Sequence, residues 1–147
     1  MSRLALSSLV VLVSLSLSAC DTSVEDTAPP ELSVNAPSID ASLSSAFTVQ
    51  ATAEAESAVA FVSLALYRYN VQADQPEAYL HQFRVEAGEN QRTVSMDTVL
   101  TLPQGLTLLP IAQAKAQGLD NAQYVLEVAT SGSGGGQVNS RLFMAAE

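Results

Sequence analysis

The stretch Ala58-Val59-Ala60-Phe61-Val62-Ser63-Leu64-Ala65-Leu66-Tyr67-Arg68-Tyr69 separates a helical from a β architecture for this chain. It is apolar on both faces, so periodicity alone fits a buried helix as well as an interior strand. Its β-branched and aromatic content favours the strand. Its neighbours do too. Leu32 and Val34 alternate with Ser33 and Asn35, and Phe47, Val49, Ala51 and Ala53 alternate with Thr48, Gln50 and Thr52. Downstream, Tyr79, His81, Phe83 and Val85 alternate with Leu80, Gln82 and Arg84, and residues 87–90 (Ala-Gly-Glu-Asn) make a turn. Period two returns at Val94, Met96, Thr98 and Leu100, at Tyr124, Leu126, Val128 and Thr130, and at Val138, Ser140, Leu142 and Met144. One helix is expected over residues 109–117, with Pro110 in its first turn and Gly118 ending it. The glycine-rich residues 131–136 read as a hairpin tip, either a binding loop or a slack connection. About seven strands with one short helix predict an all-β sandwich.

The segment Asp120-Asn121-Ala122-Gln123-Tyr124-Val125-Leu126 resembles the Asp-x-Ala-x-Tyr-x-Cys stretch that opens strand F of immunoglobulin domains. The resemblance implies an Ig-like or fibronectin III-like sandwich. Tyr124 would stand at the tyrosine corner, its hydroxyl bonding back to the backbone, and Asp120 would help bridge that corner. Leu126 stands where the family has its strand-F cysteine, and the chain has no tryptophan. The resemblance therefore implies that Phe61, Val62 or Leu64 fills the volume of the usual Trp.

At the other end of the chain, Arg3 precedes an apolar run over residues 4–15, and Leu17-Ser18-Ala19-Cys20 follows. The run is shorter than the roughly 20 residues needed to cross a bilayer core. Its layout is that of a removable secretory signal. The four residues ending in the chain's single cysteine resemble the bacterial lipobox, and the chain resembles a lipoprotein precursor. The resemblance implies that Leu17, Ser18 and Ala19 are recognised by signal peptidase, and that the Cys20 thiol carries diacylglycerol and palmitate-type acyl chains. It further implies residence at a bacterial cell membrane, facing the periplasm or the cell surface. Two or three acyl chains make attachment effectively permanent, since each buried methylene contributes about 0.8 kcal/mol. Asp21 resembles the enterobacterial signal for retention in the inner membrane. Other lineages do not use that rule, so either membrane fits. The expected layout is a signal peptide over residues 1–19, an acidic Pro-terminated tether over residues 20–31, and the sandwich over residues 32–147.

Loss of residues 1–19 removes Arg3 and makes the formal charge of −9 one unit more negative. Such a chain is poorly suited to nucleic acid or anionic lipid. With Cys20 lipidated, the domain has no thiol left for a disulfide and rests on its core.

The residues for chemistry are few. His81 is the only histidine, short of the three or four ligands of a zinc site, and no Gly-x-Ser-x-Gly elbow is present. No catalytic residue, metal or cofactor is assigned. A hydrolase built on His81 is the distant alternative. The main expectation is an anchored envelope protein with a binding or structural role, holding a protein partner or an envelope polymer near the membrane. The second is a carbohydrate-binding accessory using Tyr67, Tyr69 and Tyr79. Tyr67 and Tyr69 share one face of their strand, and Tyr79 is placed to pair across. Exposed, the three form an aromatic platform for sugar rings or a protein; buried, they are core.

Overall fold

The computed structural model describes residues 28–119 and 121–147. Two antiparallel sheets face each other. The smaller joins β1 (Glu31–Ala36), β3 (Ala46–Glu54) and β6 (Thr93–Thr101) in the order β1-β3-β6. The larger joins β2 (Leu43–Ser44), β7 (Thr107–Pro110), β9 (Gln137–Ala146), β8 (Tyr124–Gly132), β4 (Val59–Asn70) and β5 (Gln75–Glu86) in that order. Taken as strands A, B and E against G, F, C and C′, this is an Ig-like β-sandwich.

The stretch at residues 58–69 is an interior strand, hydrogen-bonded to β5 on one side and β8 on the other. Its two faces do different work. Val62, Leu64 and Leu66 point between the sheets and are fully buried. They meet Leu126 and Val128 of β8, Met144 of β9, and the facing side chains of β3 and β6. On the small sheet Ala51 lies opposite Met96 and Ala53 opposite Val94, so small residues offset large ones and the interior fills at close packing. Of the three residues proposed to replace the Trp volume, Val62 and Leu64 are core. Phe61 is not: the period of two turns it to the outer face.

Among the described residues nine strands form rather than about seven. β2, at two residues, is too short to show a period. The last two residues of β7, Leu109 and Pro110, come out of the run expected to be helical: Leu109 pairs with Ala145 and Pro110 with Met144. The helix is correspondingly shorter, α1 (Ile111–Ala116), with Pro110 as its N-cap residue and Gly118 at φ +77° just beyond its end. It lies on the outer face of the larger sheet, where Leu109, Ala114 and Ala145 form a small second cluster with Ile111 and Leu119. β1 begins at Glu31, the residue taken as the last of the tether.

A bulge between Leu66 and Tyr67 reshapes β5. Leu66 pairs with His81 but Tyr67 pairs with Tyr79, leaving Leu80 as the extra residue. The expected single face of Tyr79, His81, Phe83 and Val85 is therefore split. Tyr79 turns outward, while His81 and Val85 share the side of Leu66 and Val62.

Candidate functional site

The outer face of the larger sheet carries four registered rows across β5, β4, β8 and β9. In order, they are Tyr79–Tyr67–Val125–Phe143, Gln82–Ala65–Glu127–Arg141, Arg84–Ser63–Ala129–Asn139 and Glu86–Phe61–Ser131–Gln137. The two middle rows have small residues at the centre, Ala65, Ser63 and Ala129, and long polar side chains on the flanks. The end rows carry aromatic rings. The result is a trough with a low floor. Two depressions of about 540 and 550 Å³ share Ser63, Arg84, Glu127 and Arg141 and so run into one another.

All three candidate tyrosines lie at this trough, outside the inter-sheet core. Tyr67 is buried at 3% exposure beneath its neighbours, while Tyr79 remains 52% exposed. Their rings meet edge-on with centroids 5.4 Å apart. Tyr69 lies 6.4 Å from Tyr67 and meets Phe143 edge-on at 5.6 Å. These geometries are favourable for ring quadrupoles and hold the cluster rigid.

Hydrogen bonds tie the cluster to the polar flank. The Tyr67 hydroxyl donates to Glu127 Oε2 at 3.2 Å, and the Arg141 guanidinium donates to the same oxygen. The Tyr69 hydroxyl donates to Asp74. Burial, reinforced by the neighbouring Glu127 carboxylate, pushes the Tyr67 hydroxyl up to about 12. The bond to Asp74 raises that of Tyr69, and the bond to Glu127 raises that of Arg141. On the far flank the Arg84 guanidinium lies 3.7 Å from the centre of the Phe61 ring and 2.5 Å from Glu86 Oε1.

Sequence reading missed Glu127, Arg141, Gln82 and Arg84. Each sits at an alternate position of its strand, which is the only signal they carry. Which side chain stands opposite which depends on register.

The remaining candidates fall elsewhere. His81 is half-buried, and its Nε2 lies 2.6 Å from the Thr101 carbonyl oxygen, tying edge strand β5 to the end of β6. Because a carbonyl only accepts, this Nε2 carries the proton. Among the described residues, no group of three or more His, Cys, Asp or Glu is placed to hold a metal. The 131–136 tip is not slack: Gly132 N–H donates to Gly136, Gly135 N–H to Gly132, and Ser133 N–H to Ala58. Tyr124 opens β8 and packs on the core, and Leu126 is buried beside Leu66. Asp120, the expected lipobox residues Leu17, Ser18, Ala19 and Cys20, and Asp21, expected as a candidate sorting signal, lie outside the described residues. No helix among the described residues is long and apolar enough to cross a membrane.

No protein-family model matches this chain, and no curated protein matches it as a relative.

Proposed function

We propose that this is a lipid-anchored binding protein of the bacterial cell envelope. Cys20 carries the lipid, and the outer face of the larger sheet holds a partner near the membrane. The observation that carries the binding half is the trough: a rigid, half-exposed aromatic cluster beside a floor of small side chains and a flank of fixed hydrogen-bonding groups. A face that serves only as a sandwich exterior gains nothing from a recessed floor. The anchor rests on the lipobox Leu17-Ser18-Ala19-Cys20 at the end of a short apolar run behind Arg3.

Two measurements test the two halves. Cys20→Ser abolishes palmitate labelling in cells and leaves unprocessed precursor; labelling that persists refutes the anchor. A photoreactive residue placed at Gln82, in the trough, crosslinks to an envelope component in cells, whereas one at Ser95, on the exposed side of the opposite sheet, does not. Crosslinks from Ser95 alone would move the binding surface to the other sheet.

A further inference from the structure

We infer that the trough binds an uncharged polysaccharide chain laid along β4, with one sugar ring against Tyr79. The inference rests on the reading of this face as the binding surface and adds the chemical class of what it binds.

Charge argues first. The cations in and around the trough are already matched, Arg141 with Glu127, Arg84 with Glu86, and Arg68 with Glu77 at the tyrosine end, and Asp74 accepts from the Tyr69 hydroxyl. Glu127 also accepts from Tyr67. No unmatched positive charge is offered to a polyanion, and the whole chain, at −9, repels one. A polycation would have to break the Glu127–Arg141 pair or compete with the Tyr69 hydroxyl for Asp74 to gain a carboxylate. A neutral ligand leaves every pair in place and uses the outward lone pairs and N–H groups.

Shape argues second. The trough runs along β4 from Ser63 to Tyr69, about 20 Å at the usual rise per residue, from the low floor at Ser63 and Ala65 to the rings of Tyr67 and Tyr69. Arg84 and Gln82 stand on one side and Arg141 and Asn139 on the other, three strand spacings or about 14 Å apart. A thin chain fits where a protein surface would be held off by those walls. Protein interfaces also centre on a large apolar patch, whereas the centre here is the small Ala65, Ser63 and Ala129, flanked by amide, guanidinium and carboxylate groups. Along β5 and along β9 those groups recur at every second residue, about 7 Å apart, and offer donors and acceptors to a ligand covered in hydroxyls.

The ring argues third. The C–H face of a pyranose carries partial positive charge and sits well on the negative face of an aromatic ring. Tyr79 is half open, and Tyr67 packed against it fixes its orientation, so little side-chain entropy is lost on binding.

The test is affinity electrophoresis of the detergent-solubilised full-length lipoprotein. The gels contain dextran, hydroxyethylcellulose or xylan as neutral chains, and polygalacturonate or heparin as anionic ones. Retardation is expected in at least one neutral gel and in neither anionic gel. Tyr79→Ala weakens that retardation at least fivefold, Tyr79→Phe keeps it within twofold, and Val99→Ala on the opposite sheet leaves it unchanged. Retardation by no neutral polymer, retardation by the anionic ones alone, or indifference to Tyr79→Ala overturns the inference. If that happens while Gln82 still crosslinks to an envelope protein, the binding face stands and only its ligand class is wrong. If Gln82 crosslinks to nothing, the face itself is wrong.

Discussion

Glu127 is the residue on which the chemistry of the outer face converges. One of its oxygens serves both Tyr67 and Arg141, and the same carboxylate helps to raise the pKa of the tyrosine hydroxyl. The consequence for stability has a definite sign. An acid whose folded value lies above its unfolded value stays protonated longer in the native state. Tyr67 therefore contributes fully below its ordinary value of 10.0, and that contribution is lost as pH rises through about 12. Between those limits the slope approaches about 1.4 kcal/mol per pH unit at most. In an ultraviolet difference titration, Tyr67→Phe removes the late tyrosinate step, and Glu127→Gln moves it downward without returning it to the ordinary range, because burial is the larger cause. A titration curve that neither substitution changes contradicts this account of the pair.

At the scale of elements, the bulge at Leu80 decides what β5 presents. One inserted residue sends Tyr79 to the trough and His81 to the other side, where its ring bonds the Thr101 carbonyl oxygen. His81→Ala removes that tie at the sheet edge. It is expected to cost about 0.5–1.5 kcal/mol, the net worth of one hydrogen bond, and to speed hydrogen exchange at the amides of residues 78–82. Unaltered exchange there would show that the bond does not hold the edge. The β8–β9 hairpin offers a second case. Gly135 lies at φ +90°, and a Cβ there meets open space. Gly135→Ala therefore carries only the conformational cost of a left-handed backbone, about 1–2 kcal/mol. Gly88→Ala, where a Cβ meets Gln91 Oε1 at an ordinary 3.5 Å and φ is not positive, serves as the control and is expected to be near neutral. Equal thermal shifts for the two would remove the backbone argument.

For the whole molecule, stability comes from the facing interiors of the two sheets. Leu66 is fully buried between Leu126 and His81 in register and lies in the main core cluster. Leu66→Ala is expected to cost about 2–5 kcal/mol, lost transfer energy plus the cavity left behind. Denaturant unfolding measures it, and a loss below about 1 kcal/mol would mean that the sheets repack around the site. Tyr67, one residue along the same strand, is as buried as Leu66 yet lies on the opposite face. Its removal is expected to loosen the trough more than the sandwich.

What the sequence determined by itself was the class of fold and most of its elements. Period two marks a strand with one buried face, and the buried positions of β3, β6 and β8 could be read directly from it. The pairing of Tyr67 with Tyr69 on one face followed from the same rule. Pro110 and Gly118 marked a helix whose ends shifted by a residue or two, because Leu109 was claimed by pairing with Ala145. The candidate site was legible only in its tyrosines, and whether they were core or surface was not. Period two says that two faces exist but not which one meets the other sheet. When both faces of a strand are apolar, only packing chooses. Tertiary structure also decided the trough itself. Gln82, Ala65, Glu127 and Arg141 are far apart in the chain and become one row solely through register across four strands, and the insertion of Leu80 turns Tyr79 onto the same face.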